Sequence, residues 1–236
     1  MPLLVLLVTL LAGLALLGVN RSTAHAQTAA QEPQGTFTAT LGALNTSANG
    51  GTAVTGTATF VVSGDTITAT VDAHGLAPSM AHAMHIHTGD SCPTAAADTN
   101  NDGVIDVVEG APAYGPILIP IDSNIASQAA GDFPMSDASG NLKFTTSGSL
   151  TALLADLHAA DPDTTDAVAK LQPNEMLNLA MRHVVIHGVA GAVPATAQSI
   201  GGLPAAATLP VACGQLAATS VTTPTPVATA TPTTVV

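Results

Sequence analysis

Small or polar residues alternate with apolar residues through the first third of the chain, starting near residue 35. Threonine and valine are frequent there, and the alternation is clearest over 36–41, 53–62 and 66–71. Because successive side chains of a strand point to opposite faces, a repeat of two predicts strands with one buried face. The turn-forming groups at 49–51 and 63–65 separate these stretches, which favours antiparallel pairing.

Apolar, β-branched segments farther along the chain predict additional strands at 84–87, 117–121, 142–146, 177–187 and 210–213. The segment 149–158 differs, because its leucines recur at helical spacing behind Ser149, a residue type that caps helices. The pattern therefore predicts an all-β fold, a sandwich or barrel with long loops and one short helix.

The two ends of the chain differ from its middle. Residues 1–26 combine an apolar run over 2–19 with the small-residue site Ala24-His25-Ala26, which predicts a secretory signal peptide. No lysine or arginine precedes the run, so a retained membrane anchor is the alternative. Residues 218–236 are rich in threonine and proline and predict a disordered tail or stalk. The predicted domain is 27–217, and either terminus could tether it to a membrane or cell wall.

Charge excludes one class of partner. The chain of 236 residues has 16 acidic and 4 basic residues, a formal net charge of -12, and no lysine or arginine from Ser22 to Leu142. Affinity for nucleic acid comes mainly from basic side chains that contact phosphates. We therefore expect no nucleic-acid partner.

The predicted export of the protein bears on the oxidation state of its two cysteines. The predicted location is secreted or extracytoplasmic, at the cell surface or in the periplasm, where thiols are oxidised. Cys92 and Cys213 are the two cysteines of the chain, so they are predicted to form a disulfide. The alternative is a pair of buried free thiols.

Histidines are concentrated in two short strand-like segments, 82–87 and 183–187. His85 and His87 are two residues apart, so in a strand they project from the same face. His187 ends the second segment, after an apolar run that would hold its imidazole rigidly. Three imidazoles from adjacent strands would form a three-nitrogen site, which suits copper or zinc. The alternative is that these are ordinary surface or core histidines.

The acidic segment 98–109 has the pattern of an EF-hand calcium loop. It carries oxygen-bearing side chains at loop positions 1, 3, 5, 9 and 12, a glycine at position 6, and an apolar residue at position 8. The predicted calcium ligands are Asp98, Asn100, Asp102, the carbonyl of Val104, Asp106 and Glu109. A solvated acidic turn is the alternative, because no helices are evident on either side.

Segment 82–87 (His-Ala-Met-His-Ile-His), segment 182–187 (Arg-His-Val-Val-Ile-His) and the terminal Ala-Cys-Gly at 212–214 occur together in this order. Jointly they resemble the copper/zinc superoxide dismutase family, over about 35–216. The resemblance implies a Greek-key β-sandwich or flattened barrel of that family's type. It also implies copper ligation by His85, His87 and His187, a structural role for His82, and a Cys92–Cys213 disulfide. The shorter histidine pattern is also similar to secreted domains related to chordin repeats.

The chain departs from that family at the zinc site. Ile117 stands where the family has the histidine that bridges copper and zinc, and Ala129 stands at another zinc-ligand position. Asp132 is the one zinc-type carboxylate that remains, and a single carboxylate is not a zinc site. Copper and calcium are therefore the expected cofactors, and zinc is not expected.

Two functions follow from the resemblance. The first is a secreted copper protein that dismutates superoxide, a small-molecule substrate, to oxygen and hydrogen peroxide. The second is a non-catalytic copper- or calcium-binding extracellular module, for adhesion or metal storage, of the chordin-repeat kind. The acidic composition bears on this choice, because a negative field repels an anionic substrate.

Overall fold

The computed structural model describes residues 32–129, 131–159 and 168–222. The predicted signal peptide and the predicted tail from residue 223 onward lie outside the described residues. The strands are Gln34–Ala43 (β1), Thr55–Ser63 (β2), Thr66–His74 (β3), Met84–His87 (β4), Ile117–Pro120 (β5), Leu142–Ser149 (β6), His183–His187 (β7) and Pro210–Thr222 (β8). The helices are Val107–Tyr114 (α1), Leu150–Leu157 (α2) and Ala205–Thr208 (α3).

The strands pair antiparallel in the spatial order β5-β4-β7-β8-β1-β2-β3-β6, which confirms the predicted all-β class. The sheet curves into a half-barrel, with β5 and β6 as its edge strands. The long strand β8 pairs with β7 and also with β1. It therefore joins the part of the sheet that holds the histidines to the threonine-rich part.

The threonine-rich strands bury one face, as their alternation predicts. Ala58, Phe60 and Val62 of β2 are at most 3% exposed, while the residues between them face outward. On the outer face, threonine hydroxyls meet across strands, for example Thr70 Oγ1 and Thr145 Oγ1 at 3.1 Å. Burial of apolar side chains on one face only is what gives these strands their repeat of two.

The prediction of a single helix was wrong. Helix α2 lies where it was expected, and the Ser149 hydroxyl accepts a hydrogen bond from the Ala152 N–H at its N-terminus. Helix α1 was missed. The side chain of its N-cap, Asp106, accepts hydrogen bonds from two backbone N–H groups, and the Asp106 N–H donates to the Glu109 carboxylate, which completes a capping box. The Asp-x-x-Glu spacing was interpreted only as calcium ligands, although it also signals a helix start.

The start of one predicted strand and the predicted end of the domain differ from the structure. The strand expected at 177–187 begins only at His183, because Asn178 has a left-handed backbone (φ 50) and a 3-10 turn follows at Leu179–Met181. The last strand continues to Thr222, past the predicted domain end at 217, because β1 offers it partners as far as Gln34. Across the described residues, no helix combines the length and the apolar character needed to cross a membrane.

The predicted disulfide is present. It joins Cys92, in the loop after β4, to Cys213 on β8, with Cα atoms 5.7 Å apart and a sequence separation of 121. No free cysteine remains. A disulfide of this kind indicates an oxidising, extracytoplasmic compartment.

A candidate metal centre on the second face of the sheet

Strands β4 and β7 are neighbours and are covered on both faces. Met84 and Ile86 of β4, with Val184 and Ile186 of β7, are fully buried in the main core. Alternation then places His85 and His87 on the opposite face, and His187 reaches the same face from the end of β7. The loops that follow β4 and precede β8 cover this face. The site therefore lies outside the main core but still within the protein.

The three predicted copper ligands come together there. His85, His87 and His187 offer ring nitrogens that all lie within 4.8 Å of one another. Nitrogens bound to a single zinc or copper ion lie no more than about 4 Å apart, because each metal–nitrogen bond is about 2.0 Å. The donor set and its spacing therefore fit one transition-metal ion.

Backbone carbonyls fix the orientation of two of the rings. The Nδ1–H of His87 donates to the Gly115 carbonyl at 2.8 Å, and the Nδ1–H of His187 donates to the Thr208 carbonyl at 2.7 Å. Each bond places the lone pair on the Nε2 atom of the same ring. Metal-ligating histidines are typically held by such second hydrogen bonds.

The remaining nitrogens are left without partners. His85 Nδ1, His87 Nε2 and His187 Nε2 are buried and have no hydrogen-bond partner among the described residues. A buried polar atom without a partner costs about 1 to 3 kcal/mol. Three such atoms on neighbouring rings are what a metal ion would satisfy, so the residues present fit a bound metal.

Burial keeps these imidazoles neutral. It lowers the pKa of His87 to about 3, with a further contribution from His187, and lowers the pKa of His187 to about 4. Burial also holds the pKa of His85 well below its usual value. All three rings are therefore neutral at physiological pH, the state in which a histidine nitrogen can donate to a metal.

The other two histidines of these segments are already engaged. Both ring nitrogens of His82 lie near carbonyl oxygens, Nδ1 at 2.9 Å from His187 and Nε2 at 3.1 Å from Ala77. His183 donates from Nδ1 to the Gly89 carbonyl at 2.9 Å. His82 thereby contacts the backbone of His187 and is not available to the cluster.

Two aromatic side chains also line the site, although no sequence pattern assigned them to it. Tyr114, at the end of α1, packs its ring 4.7 Å from the His87 ring, and its hydroxyl donates to the Val107 carbonyl. Phe133 contacts the His85 ring edge-on, with centroids 5.3 Å apart. Phe133 lies between strands, outside any periodic pattern, and Tyr114, the single tyrosine of the chain, carried no pattern that could have located it.

The positions associated with zinc lie around this face. Ile117 of β5 pairs with His87, so an isoleucine stands beside the histidine cluster. Asp132 is the residue before Phe133 in the sequence, and it is exposed. Its backbone N–H donates to the Ser123 hydroxyl.

Each of the three basic side chains among the described residues lies beside a carboxylate. Lys143 lies 3.7 Å from Asp72, Lys170 lies 3.7 Å from Asp156, and Arg182 lies 3.6 Å from Glu175. The Arg182 Nε–H also donates to the Leu177 carbonyl. The field around the site is therefore set by the excess of carboxylates.

The predicted calcium loop closes on itself through hydrogen bonds. The Asp98 carboxylate accepts from the N–H groups of Asp102 and Gly103, and Gly103 has the left-handed backbone (φ 90) that suits a glycine. The Glu109 carboxylate reaches back to the Thr99 N–H at 2.9 Å. Among the described residues the three histidines are the one group of such ligands within 4.8 Å, so the loop carboxylates converge less closely.

The fold and the site define an all-β, disulfide-bonded protein with a buried three-histidine candidate metal centre. No protein-family model matches the chain, and a search of curated proteins finds no match.

Proposed function

We propose that this protein binds copper through His85, His87 and His187 outside the cytoplasm and uses it to dismutate superoxide. The observation that carries the proposal is the convergence of three buried, unpartnered imidazole nitrogens. Neutral nitrogen donors suit copper, which also binds more tightly than the other divalent first-row metals. A four-coordinate structural zinc site would require a fourth protein ligand.

When bound, copper would supply the one-electron chemistry that oxidises one superoxide to oxygen and reduces a second, with two protons, to hydrogen peroxide. The protein itself would orient the ligand rings and keep water away from their nitrogens. The Gly115 and Thr208 carbonyls orient two of the rings, and the buried setting excludes water from the ligand nitrogens. With Ile117 at the bridging position, protons would come from water rather than from a bridging imidazole.

The order of the strands supports the Greek-key topology of the superoxide dismutase family. Strand β3 lies beside β6, β4 lies beside β7, and β8 lies beside β1, so these neighbours in space are not consecutive in sequence. Long connections must then cross between the two parts of the sheet, as they do in Greek-key folds. We therefore extend the family assignment to this chain as part of the proposal.

A non-catalytic copper-binding module, for metal storage or adhesion, is the second candidate. The pairing of all three described basic side chains with carboxylates favours it. A carboxylate beside each of these cations weakens the attraction that could offset the repulsion of superoxide by a chain of net charge -12.

Metal content and superoxide turnover of the purified protein separate these functions. For the dismutase we expect one copper per chain, an electron paramagnetic resonance spectrum with nitrogen ligands, and turnover that requires copper. Turnover should rise as ionic strength increases, because salt screens the repulsion of the anion. Bound copper without turnover would identify the module, and failure to bind copper under conditions that load other copper proteins would reject both.

We also propose that the loop 98–109 binds calcium. The observation in its favour is that Glu109, at position 12, already folds back onto residues 99 and 100 at the start of the loop. The Thr196 hydroxyl lowers the pKa of Asp102, so this carboxylate is charged at neutral pH. Calcium would draw the carboxylates together and rigidify the connection that leads into α1.

Calcium should raise the melting temperature of the protein. Extracellular calcium modules bind with dissociation constants of about 0.1 to 1 mM. Ligand at about 10 to 100 times that constant stabilises the folded state by roughly 1.4 to 2.7 kcal/mol. For a domain of this size we expect a rise of roughly 3 to 10 °C. The measurement is thermal melting at millimolar calcium.

Two variants make the calcium test specific. Glu109→Gln removes the carboxylate at position 12 and should abolish the rise. Asp72→Asn, on β3 and remote in sequence from the loop, should leave the rise unchanged. If the wild-type melting temperature does not change at millimolar calcium, the loop is a solvated acidic turn.

A further inference from the structure

The three ligand nitrogens are closed off from solvent. His85 Nδ1, His87 Nε2 and His187 Nε2 each expose less than 1 Å². Neither a metal ion nor a small molecule can reach them unless a neighbouring group moves. Of the three rings, those of His87 and His187 belong to residues only 3% and 5% exposed, whereas His85 is partly exposed. Access to the site is therefore expected past His85.

Phe133 covers that side. Its ring stands nearly perpendicular to the His85 ring, at an interplanar angle of 82° and a centroid distance of 5.3 Å. Phe133 is itself partly exposed. Its side chain therefore has His85 on one side and solvent on the other.

The backbone around Phe133 is held on both sides. Ser123 and Asp132 exchange hydrogen bonds, with the Ser123 N–H donating to the Asp132 carbonyl at 3.1 Å. The His82 N–H donates to the Pro134 carbonyl at 3.0 Å. With its backbone anchored in this way, rotation of the Phe133 side chain is the smallest movement that opens the site.

The opposite wall cannot open as easily. Tyr114 is 1% exposed, and its ring lies against His87. Its hydroxyl donates a hydrogen bond to the Val107 carbonyl. Gly115 and the end of α3 are tied to His87 and His187 through the carbonyl contacts described above. Movement on this side would break those hydrogen bonds.

We propose that Phe133 gates the metal centre and determines the size of the ligand that reaches the metal. Rotation of its ring admits ligands of two or three atoms and excludes ring-sized ligands and chelators. This inference rests on the proposed metal binding, but not on superoxide as the substrate. An apolar gate also selects ligands by size rather than by charge.

The test compares the copper-loaded full-length protein with Phe133→Ala and Phe133→Leu. The control is Met135→Ala, two residues away and 64% exposed. The first readout is the rate of copper removal by excess EDTA. We expect removal to be at least 10-fold faster for Phe133→Ala, intermediate for Phe133→Leu, and within twofold of wild type for Met135→Ala.

Exogenous ligands give a second readout, followed by electron paramagnetic resonance. Azide should bind copper in both wild type and Phe133→Ala, whereas imidazole should bind only in the variant. Thermal melting confirms that each variant is folded, and Phe133→Leu retains most of the apolar volume if alanine destabilises the loop. Equal removal rates together with imidazole binding in wild type would overturn the gate. Absence of copper from the wild-type protein would instead overturn the proposed function.

Discussion

We expect His187→Ala to lose stoichiometric copper and, with it, any superoxide turnover. Changes to the hydrogen-bonding partners of metal ligands alone weaken metal affinity about 10- to 100-fold, so loss of a ligand should weaken it by at least about 100-fold. His187 is also the ligand that connects the site to the end of α3, through the Thr208 carbonyl. Its loss removes one nitrogen donor and this anchor together. Competition with a chromogenic copper chelator measures the change in affinity.

His74→Ala is the matched control for this variant. His74 ends β3, is exposed, and its side chain contacts Asp72 and Asn141 on the other part of the sheet. Copper affinity should be unchanged in this variant. If His187→Ala retains copper at wild-type affinity, the three-histidine cluster is structural and copper, where found, binds elsewhere.

The second large effect is expected from loss of the disulfide. Replacing Cys92 and Cys213 together with alanine opens a connection of 121 residues. In the chain-entropy model a cross-link over about 100 residues contributes about 4.7 kcal/mol to the free energy of unfolding, and measured losses are typically about 2 to 5 kcal/mol. For a domain of this size, that corresponds to a decrease of roughly 5 to 20 °C in melting temperature.

The position of the disulfide makes its loss relevant to the site as well. Cys213 packs with Tyr114 and Val185, and Cys92 lies beside this small cluster beneath the histidines. We therefore expect the double variant to bind copper more weakly at temperatures where it is still folded. Guanidinium unfolding measures the stability, and wild type treated with reductant should show the same loss. A loss below about 1 kcal/mol would mean that packing alone holds the loop against β8.

The strands were the most predictable part of the fold. In β2 and β3 the alternation of apolar and polar residues is a local property, because each side chain meets either core or solvent according to its position in the strand. The start of β7 and the helix α1 were less predictable. Asn178 adopts a left-handed conformation, and α1 contains Gly110 and Pro112, which obscure the helical pattern. The capping pair Asp106 and Glu109 was visible but had a competing interpretation.

The candidate site was predictable in part. The spacing of His85 and His87 indicates a shared face, and the position of His187 after a β-branched run indicates a second strand. The sequence did not indicate which nitrogens stay free, because that depends on the Gly115 and Thr208 carbonyls, which come from distant loops. It also did not place Tyr114 against His87, since no periodicity relates a helix end to a strand.

The sequence alone determined the all-β class, the disulfide partners, the three histidines and the acidic character of the protein. These depend on residue type, on local periodicity and on the presence of only two cysteines. Only the tertiary structure decided that the histidines lie on the covered second face of the sheet, with their free nitrogens converging and Phe133 closing the exposed side. The physical reason is that burial and hydrogen bonding of a side chain are set by segments far away in the chain. The residues adjacent in sequence therefore do not indicate how a side chain is buried or hydrogen-bonded.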